Sequence, residues 1–474
     1  MGEEIGRVRF SEADFREFHE RLRQETALLR RWLHEGALSR RAGIAGLELE
    51  AWLVDGDGRP APCNDALIAR LPEVPVVPEL ARYNLEFNVR PRPLAGTGLA
   101  DMAAELERHV AAARRAGREL GVAPLAIGTL PSLRPEDLNA AAMSPSNRYH
   151  ALNEQILAAR RGRPLKVDIV GLEHLAVAHC DVMLEAAATS YQLHLQMDPA
   201  QALDLYNTAQ ILAGPLVAAA ANAPYLFGRD LWAESRIPLF EQAVEAGGYG
   251  DATFGPLRRV GFGSGYLRHG VEELFEENLA HFPVLLPVLQ DAPPERLAHL
   301  RLHNGTIWRW NRPLVGFDED GTPHLRIEHR VLPAGPSGID QSANAALFYG
   351  LLAALAPRRL WAELPFPQAR DNFYQAARLG LDARLHWPGL GRVRATRLLD
   401  HLLPRAAEGL ARLGVAVDLA GRLLAVIAGR VATGVNGAVW QRRFVRQYGR
   451  DWNALVRAYG ERQASGEPVH RWSL

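Results

Sequence analysis

Four segments of the chain alternate between apolar residues and a narrow set of polar ones. They occupy residues 47–50, 84–89, 192–197 and 325–331. Because successive side chains of a β-strand point to opposite sides, each segment predicts a strand with one apolar and one polar face. The polar positions hold Glu48, Glu50, Asn84, Glu86, Asn88, Gln192, His194, Gln196, Arg326, Glu328 and Arg330.

This composition favours a sheet face that binds ligands. Any one of these strands would also fit an antiparallel sheet with a wetted side. A wetted side, however, normally mixes in Ser, Thr and Lys, which are absent from these polar positions. Glu, Asn, Gln, His and Arg are the side chains that ligate Mg²⁺, accept amide donors or hold phosphate. Together the four strands therefore predict a functional face.

The rest of the chain predicts helices around these strands. Further strands are expected near 299–311 and 323–332, with the acidic turn DEDG between them. Helices are expected over residues 11–35 (N-capped by Ser11), 100–120, 144–162 (N-capped by Ser144) and most of the chain from Ser342 onward. Strands scattered among helices indicate an α+β fold with an antiparallel sheet. We expect an N-terminal helix over 1–40, a catalytic domain over 41–400 and a helical region over 401–474.

Charge and cysteine content exclude several classes of protein. Lys and Arg number 54, as do Asp and Glu, so nothing favours nucleic acid or an anionic membrane surface as a partner. The N-terminus, MGEEIGRVRF, lacks the apolar stretch of a secretory signal, and the most apolar helical stretch is too short to span a bilayer. Two cysteines, Cys63 and Cys180, fit a reducing compartment. These features predict a cytoplasmic protein without a membrane partner.

Phosphate chemistry in this chain would depend on arginine and metal. The sequence has one lysine, Lys166, and no P-loop lysine motif. Arginine can hold two phosphate oxygens at once, which lysine cannot. Converging carboxylates repel one another unless a divalent cation binds, and Mg²⁺ or Mn²⁺ suits them better than zinc, because the chain has no cysteine pair and no H-E-x-x-H motif.

The strand motifs resemble those of a known family. GLELEAWLVD, YNLEFNVRP, TSYQLHLQM and HLRIEHRVL, with NAPYLFGRDLWAESRIPLFEQA and TGVNGAVWQRR, are similar to the bacterial and plant type of glutamate–cysteine ligase. They are most similar to its carboxylate–amine ligase branch, over roughly residues 40–445. The resemblance implies the fold shared by glutamine synthetase and guanidino kinases. In that fold the concave polar face of a curved antiparallel sheet forms a funnel for ATP, metal and amino acid.

The resemblance also implies roles for individual residues. The metal ligands would be Glu48, Glu50, Glu79, Glu86, His194 and Glu328. Arg330 and Arg259 would contact the transferring phosphate beside Glu328, with Arg258 as the alternative to Arg259. Arg236 and Arg309 would hold substrate carboxylates, and Asn84, Gln192 and Gln196 on the polar face would bind substrate or cofactor. His194 could instead be a structural histidine, and Arg236 could pair with Glu234 or Glu241 on a helix surface.

The implied reaction is an ATP-dependent ligation. The γ-phosphoryl group moves to a substrate carboxylate, and an amine then displaces phosphate to form an amide. Glutamate and cysteine are the expected substrates, giving γ-glutamylcysteine for glutathione biosynthesis, although Trp310-Asn311-Arg312-Pro313 departs from the family pattern and leaves the substrates open. Three Gly-rich segments (247–255, 261–265 and 333–338) are expected to order over the funnel. A guanidino kinase-like phosphotransferase and a non-catalytic binding protein are the alternatives. The oligomeric state stays open, with a homodimer as one option.

Overall fold

The computed structural model describes residues 4–246 and 257–474, and in this part of the chain the strands form one large sheet and several small ones. The large sheet is antiparallel and has the order β12-β13-β7-β1-β3-β2, with β4 added beside β1. The strands are β1 Ile44–Asp55, β2 Val76–Pro78, β3 Asn84–Pro93, β4 Val122–Leu125, β5 Leu165–Val170, β6 His174–His179, β7 Ser190–Met197, β8 Tyr225–Leu226, β9 Arg229–Asp230, β10 Val260–Gly261, β11 Trp308–Arg309, β12 Asn311–Phe317, β13 Pro323–Pro333, β14 Arg384–Trp387 and β15 Gly391–Arg394.

Helices surround this sheet. They are α1 Glu12–Glu35, α2 Asn64–Ile68, α3 Gly98–Arg118, α4 Asn147–Ala159, α5 Ala202–Ala220, α6 Arg236–Ala243, α7 Glu272–His281, α8 Ala298–Asn304, α9 Gly338–Leu355, α10 Phe366–Leu379, α11 Ala395–Arg412, α12 Val417–Thr433, α13 Gly437–Tyr448 and α14 Trp452–Ala464. Helices α5 and α9 are apolar on almost every side and almost entirely buried, as expected of helices inside a core. The Tyr349 hydroxyl on α9 donates to the backbone oxygens of Gly46 and His194, which fixes this helix to the sheet.

The register of the strands separates the apolar and polar residues. Glu50 pairs with Glu86 and Glu328 pairs with His194, so these four side chains share one face. Their apolar neighbours point to the helices and are 6% exposed or less: Leu47, Leu49, Leu85, Phe87, Leu193, Leu195, Leu325 and Ile327. The predicted α+β class and the antiparallel sheet with a polar face are therefore confirmed.

Helix α1 confirms the prediction made from Ser11. Ser11 and Asp14 form a reciprocal capping box at its first turn. The helix also organises a distant segment, because the buried carboxylate of Glu25 accepts hydrogen bonds from Leu300 N at 2.7 Å and pairs with His299 Nδ1 at 2.6 Å. Glu25 thereby caps the start of α8.

Two local predictions were wrong. Residues 299–304 form α8 rather than a strand, because the alternation of HLRLHN is overridden by the cap from Glu25. Helix α4 begins at Asn147 with Ser146 at the cap, while the Ser144 hydroxyl donates to the Glu79 carbonyl oxygen at 2.5 Å. The chain after Ser342 is mostly helical, as predicted, with the short β14–β15 hairpin as an interruption.

The division of the chain at residues 40 and 400 stays a prediction, and α11 runs through the second position. Among the described residues no single helix is long and apolar enough to cross a membrane. Helices α12 and α13 reach that length and apolarity only when taken together, across a bend of 43°.

Candidate active site

Two groups of side chains that could hold a metal ion lie next to each other on the polar face. The first cluster consists of Glu48, His194 and Glu328, and the second of Glu50, Glu79 and Glu86. Within each cluster one ligand atom per residue lies within 4.8 Å of the others. Because Glu48 and Glu50 are two residues apart on β1, the strand period places one carboxylate in each cluster.

Cations of the protein surround the first cluster. Arg312 donates to both carboxylate oxygens of Glu328, with Nε–Oε2 at 2.7 Å and Nη2–Oε1 at 2.9 Å. Arg330 lies 3.3 Å from Glu328 Oε2, and His194 Nε2 lies 3.1 Å from Glu48 Oε1. Burial disfavours the charge on Glu328, but Arg312, Arg330 and His194 hold the pKa of that carboxyl well below its usual range. Burial also opposes the charge on Glu48, yet His194 lowers its pKa to about 2.

The second cluster has excess negative charge. Burial raises the pKa of Glu86 to about 8, and repulsion from Glu48 and Glu50 acts in the same direction. Burial and the charges of Glu86 and Glu50 raise the pKa of Glu79 well above its usual value. Burial likewise raises the pKa of Glu50, although Arg330 and Ser190 oppose the rise. The second cluster therefore favours a proton, or a divalent cation in its place.

Local hydrogen bonds hold these carboxylates in position. Glu50 accepts from Ser190 N at 2.6 Å, Ser190 Oγ at 2.9 Å and Gln192 Nε2 at 2.8 Å. Glu86 accepts from Asn88 Nδ2 at 3.0 Å. The loop that carries Glu79 is held by Ser144, which donates from its hydroxyl to the Glu79 carbonyl oxygen and from its backbone N–H to Leu80 O. The clusters are thus built into the sheet and its loops.

These donor sets fit Mg²⁺ or Mn²⁺. The second cluster offers only carboxylate oxygens, and the first offers two carboxylates and an imidazole. Hard divalent cations prefer such oxygen-rich sets, and the raised pKa values of Glu79 and Glu86 show negative charge that protein cations leave uncompensated.

Two cavities meet at the clusters. The carboxylate cavity, of about 110 Å³, is lined by Glu50, Glu79, Glu86, Glu185, Tyr149, Trp308, Gln192 and Arg330. The arginine cavity, of about 190 Å³, is lined by His194, Asn304, Arg301, Arg326 and Leu314. Both cavities are also lined by Glu48, Arg148, Gly305, Arg312 and Glu328. The first cluster therefore stands where the two cavities join.

Arg330 connects the two clusters. Its guanidinium contacts Glu328 of the first cluster and donates to Gln192 Oε1, while Gln192 Nε2 donates to Glu50 of the second. Arg236 lies beside it and contributes to a small cavity with Glu50, Glu185 and Arg330. Arg236 is buried and pairs with Glu234 at 3.2 Å. Glu234 is one of the two partners expected if Arg236 has a structural role.

Other predicted residues lie apart from the clusters. Arg259 donates to Thr306 O at 3.0 Å and Arg309 to Asn278 Oδ1 at 2.6 Å, and both pack over Phe282. Among the described residues that line the carboxylate cavity and the arginine cavity, neither Arg259 nor Arg309 is found. Arg258 is largely exposed. The roles of these arginines stay predictions.

The two remaining side-chain amides on the polar face form no hydrogen bond with the cluster residues among the described contacts. Gln196 Nε2 donates to Asp318 Oδ1 at 3.2 Å. Asn84 is 2% exposed, and neither atom of its amide has a hydrogen-bond partner among the described residues. Neither side chain lines the two cavities within the described ranges. Their roles in binding substrate or cofactor stay predictions.

The Gly-rich segments do not all lie over the site. Residues 247–255 are outside the described residues. Residues 333–337 are buried on the apolar side of the sheet, where Asn222 Nδ2 donates to Ala334 O at 2.8 Å, so the expectation of a loop over the funnel was wrong there. In 261–265, Phe262 packs against Phe366 and Phe373.

Sequence reasoning missed several lining residues, above all Arg312. A signal for it existed in the hairpin β12–β13, because folding the chain at the DEDG turn places Arg312 opposite Glu328. For Arg148, Tyr149 and Glu185 no comparable signal exists, since helix α4 and a short 3₁₀ helix bring them to the site through tertiary packing. Burial raises the pKa of Glu185 to about 8, and Glu50 adds to the effect.

Comparison with known proteins supports the sequence resemblance. The model of glutamate–cysteine ligase family 2 matches residues 44–471. The structure of a glutamate–cysteine ligase from Francisella tularensis in complex with AMP is similar with a TM-score of 0.53, at 13% identity over 90% of each chain. A bifunctional glutathione synthetase from Pasteurella multocida gives a TM-score of 0.49, at 12% identity over 90% of this chain and 53% of that one. No curated protein sequence matches the chain. The Francisella structure shows a shared fold.

Proposed function

We propose, because the chain belongs to glutamate–cysteine ligase family 2, that it joins the γ-carboxylate of glutamate to an amino acid, with cysteine as the first candidate. Membership in this family makes the chain an ATP-dependent carboxylate–amine ligase. We further infer that its sheet is of the glutamine synthetase type, with the catalytic unit in residues 41–400. The pair of clusters joined by Arg330 is the observation that carries the proposal.

The two cavities suit the two kinds of substrate. Arg301, Arg312 and Arg326 give the arginine cavity a positive wall, which favours the phosphates of ATP. Arg148 lines both cavities where they join, and one of its terminal nitrogens is buried without a hydrogen-bond partner among the described residues. A buried unpaired donor of this kind is suited to a substrate carboxylate. The amino acids would therefore approach from the carboxylate cavity.

The protein's own residues then have distinct tasks. Mg²⁺ or Mn²⁺ held by the two clusters would neutralise charge on the phosphates and on the acceptor carboxylate. Arg330 stabilises charge on the γ-phosphoryl group as it moves to the γ-carboxylate, giving an acyl phosphate and ADP. The amine then attacks the acyl carbon, phosphate leaves, and the amine loses a proton. Glu185 in its ionised form can accept that proton, and its pKa of about 8 makes it a stronger base than an exposed carboxylate.

Product analysis tests this function. ADP release should require Mg²⁺ or Mn²⁺ and should appear with glutamate and an amine, with mass spectrometry showing the γ-glutamyl amide. A phosphorylated amine as the product would indicate a kinase instead. Full turnover in excess chelator, or no ADP release with any amino-acid pair, would contradict the proposal.

Two substitutions test the assignment of the cavities. Arg326→Gln should raise the KM for ATP about tenfold with little change in the KM for glutamate, because a single charged hydrogen-bond donor is lost. Arg148→Gln, at the junction of the two cavities, should raise the KM for glutamate more than the KM for ATP, because its unpaired terminal nitrogen is the proposed donor to the substrate carboxylate. Arg422 on α12 is exposed and lines neither cavity, so Arg422→Gln gives the matched control and should change neither constant.

A further inference from the structure

A third cavity, the back cavity, lies on the apolar side of the sheet. It has a volume of about 280 Å³ and is enclosed by β1, α3, the start of α9 and the end of α14. Residues 103, 106–107, 110–111 and 114 of α3 line it at helical spacing, so one whole face of this helix borders the cavity. Leu49, Ala51 and Tyr191 form its floor.

The floor belongs to the strands of the candidate active site but faces away from it. Leu49 and Ala51 flank Glu50 in the chain, and Tyr191 lies between Ser190 and Gln192, which both donate to Glu50. The back cavity is therefore separated from the second cluster by the thickness of one sheet.

Two donor groups that line this mainly apolar cavity, on Gln341 and Arg114, lack partners, and the exposed carboxylate of Glu107 also borders the cavity. Gln341 on α9 is 4% exposed, and its Nε2 has no hydrogen-bond partner among the described residues. Arg114 on α3 is half-buried and forms no ion pair or hydrogen bond with any described residue. Burial lowers the pKa of Arg114, and no carboxylate counters this. Unpaired buried donors cost free energy unless a ligand or water satisfies them.

We propose that the back cavity is a second binding site, specific for a small carboxylate with a compact apolar body. The body would fill the space over Leu49, Ala51 and Tyr191, and the carboxylate would accept from Arg114 and from Gln341 Nε2. A planar guanidinium and an amide donor match a carboxylate. The apolar floor, and a lining in which Arg114 is the one cationic side chain among the described residues, disfavour a nucleotide or a highly charged phosphate ester. The site goes beyond the proposed ligase activity, because its lining shares no residue with the two active-site cavities.

Calorimetric titration with cyclohexanecarboxylate tests this site. The wild-type protein should bind one equivalent saturably at millimolar concentrations, and cyclohexanecarboxamide, which lacks the charge, should bind at least tenfold more weakly. Saturating ATP, Mg²⁺ and glutamate should leave the affinity within about twofold, since a sheet separates the two regions. Competition by those substrates would place the carboxylate in the active site and overturn the proposal.

Substitutions in the lining test whether cyclohexanecarboxylate binds in the back cavity. Arg114→Gln should weaken binding at least tenfold, Gln341→Leu about fivefold, and Ala103→Phe, which fills the cavity, should abolish it. Arg115→Gln is the matched control, because it removes the same charge from the exposed side of the same helix, and it should bind like wild type. Melting curves identify any variant that fails to fold. Unchanged affinity in folded Arg114→Gln, or no binding to wild type, would refute the site.

Discussion

The two clusters are built from similar residues but have opposite electrostatics. In the first, Arg312, Arg330 and His194 compensate the carboxylates, so Glu48 and Glu328 ionise readily despite burial. In the second, the buried Glu86 and the half-buried Glu50 and Glu79 face one another, and the pKa of Glu86 rises to about 8. Burial alone therefore does not decide whether an acid is charged, because the neighbouring charges determine which form is stable.

This difference separates two ways of preparing a metal site. The first cluster is held in its ionised form by the protein itself. The carboxylates of the second cluster become fully ionised only when a metal ion replaces their protons. Metal binding there should therefore be coupled to proton release. Each of the following experiments changes one side of this comparison.

The largest effect is expected for Glu328→Gln. The substitution leaves Arg312 and Arg330 buried without their carboxylate, so the free energy of unfolding should fall by about 3–5 kcal/mol. Urea denaturation of the metal-free protein measures it. A fall below about 1 kcal/mol would show that these arginines find other partners. Double substitution with Arg312→Met is the control and should restore part of the loss.

The next effect is expected for Arg330→Lys, which keeps the charge but not the planar fork. Arg330 contacts both Glu328 and Gln192, and a single ammonium cannot reproduce that arrangement. We expect kcat to fall roughly a hundredfold with little change in the KM for ATP. Steady-state kinetics measures both constants. A rate within about threefold of wild type would remove Arg330 from the proposed mechanism.

Glu86→Gln should have a smaller effect on the free energy of unfolding of the metal-free protein, and one that is opposite in sign to that of Glu328→Gln. The folded pKa of Glu86, about 8, exceeds the unfolded value, so its contribution to stability is present at low pH and is lost as pH rises through about 8. At pH 9 the variant should be more stable than wild type by about 1–3 kcal/mol, and near pH 4 the two should be equal. Activity should be lost in the variant. A destabilised variant at pH 9 would contradict the assigned electrostatics.

The smallest effect concerns the pH dependence of metal binding. Below about pH 8, Mn²⁺ must displace a proton from Glu86, so its affinity for the second cluster should rise about tenfold per pH unit for each proton released. The slope can be measured by Mn²⁺ titrations, followed by electron paramagnetic resonance, at pH values between about 6 and 9. This range includes the Glu86 pKa of about 8. Glu86→Gln should flatten it. A wild-type slope near zero would mean that the cluster is already ionised.

The polar face could be predicted because it depends on a local rule. Strand alternation alone placed Glu48, Glu50, Glu86, His194, Glu328 and Arg330 on one surface, and the register confirms this. Arg312 could have been found by folding the hairpin at its turn. The positions of Arg148 and Glu185 could not, since they depend on how α4 and a 3₁₀ helix pack against the sheet. The helix at 299–304 likewise depends on Glu25, far away in the chain.

The scarcity of lysine has a practical consequence for chemical labelling. Lys166 is exposed on β5, in a hairpin tied to α6 by the hydrogen bond from Asp168 N to Gln242 Oε1 at 2.8 Å, and it lines none of the three cavities. Amine-reactive dyes or surface-coupling reagents should therefore modify one side chain of this sequence besides the terminal amine. Such reagents would leave every guanidinium of the site intact. A fluorophore or tether at Lys166 thus permits single-site attachment without any engineered cysteine.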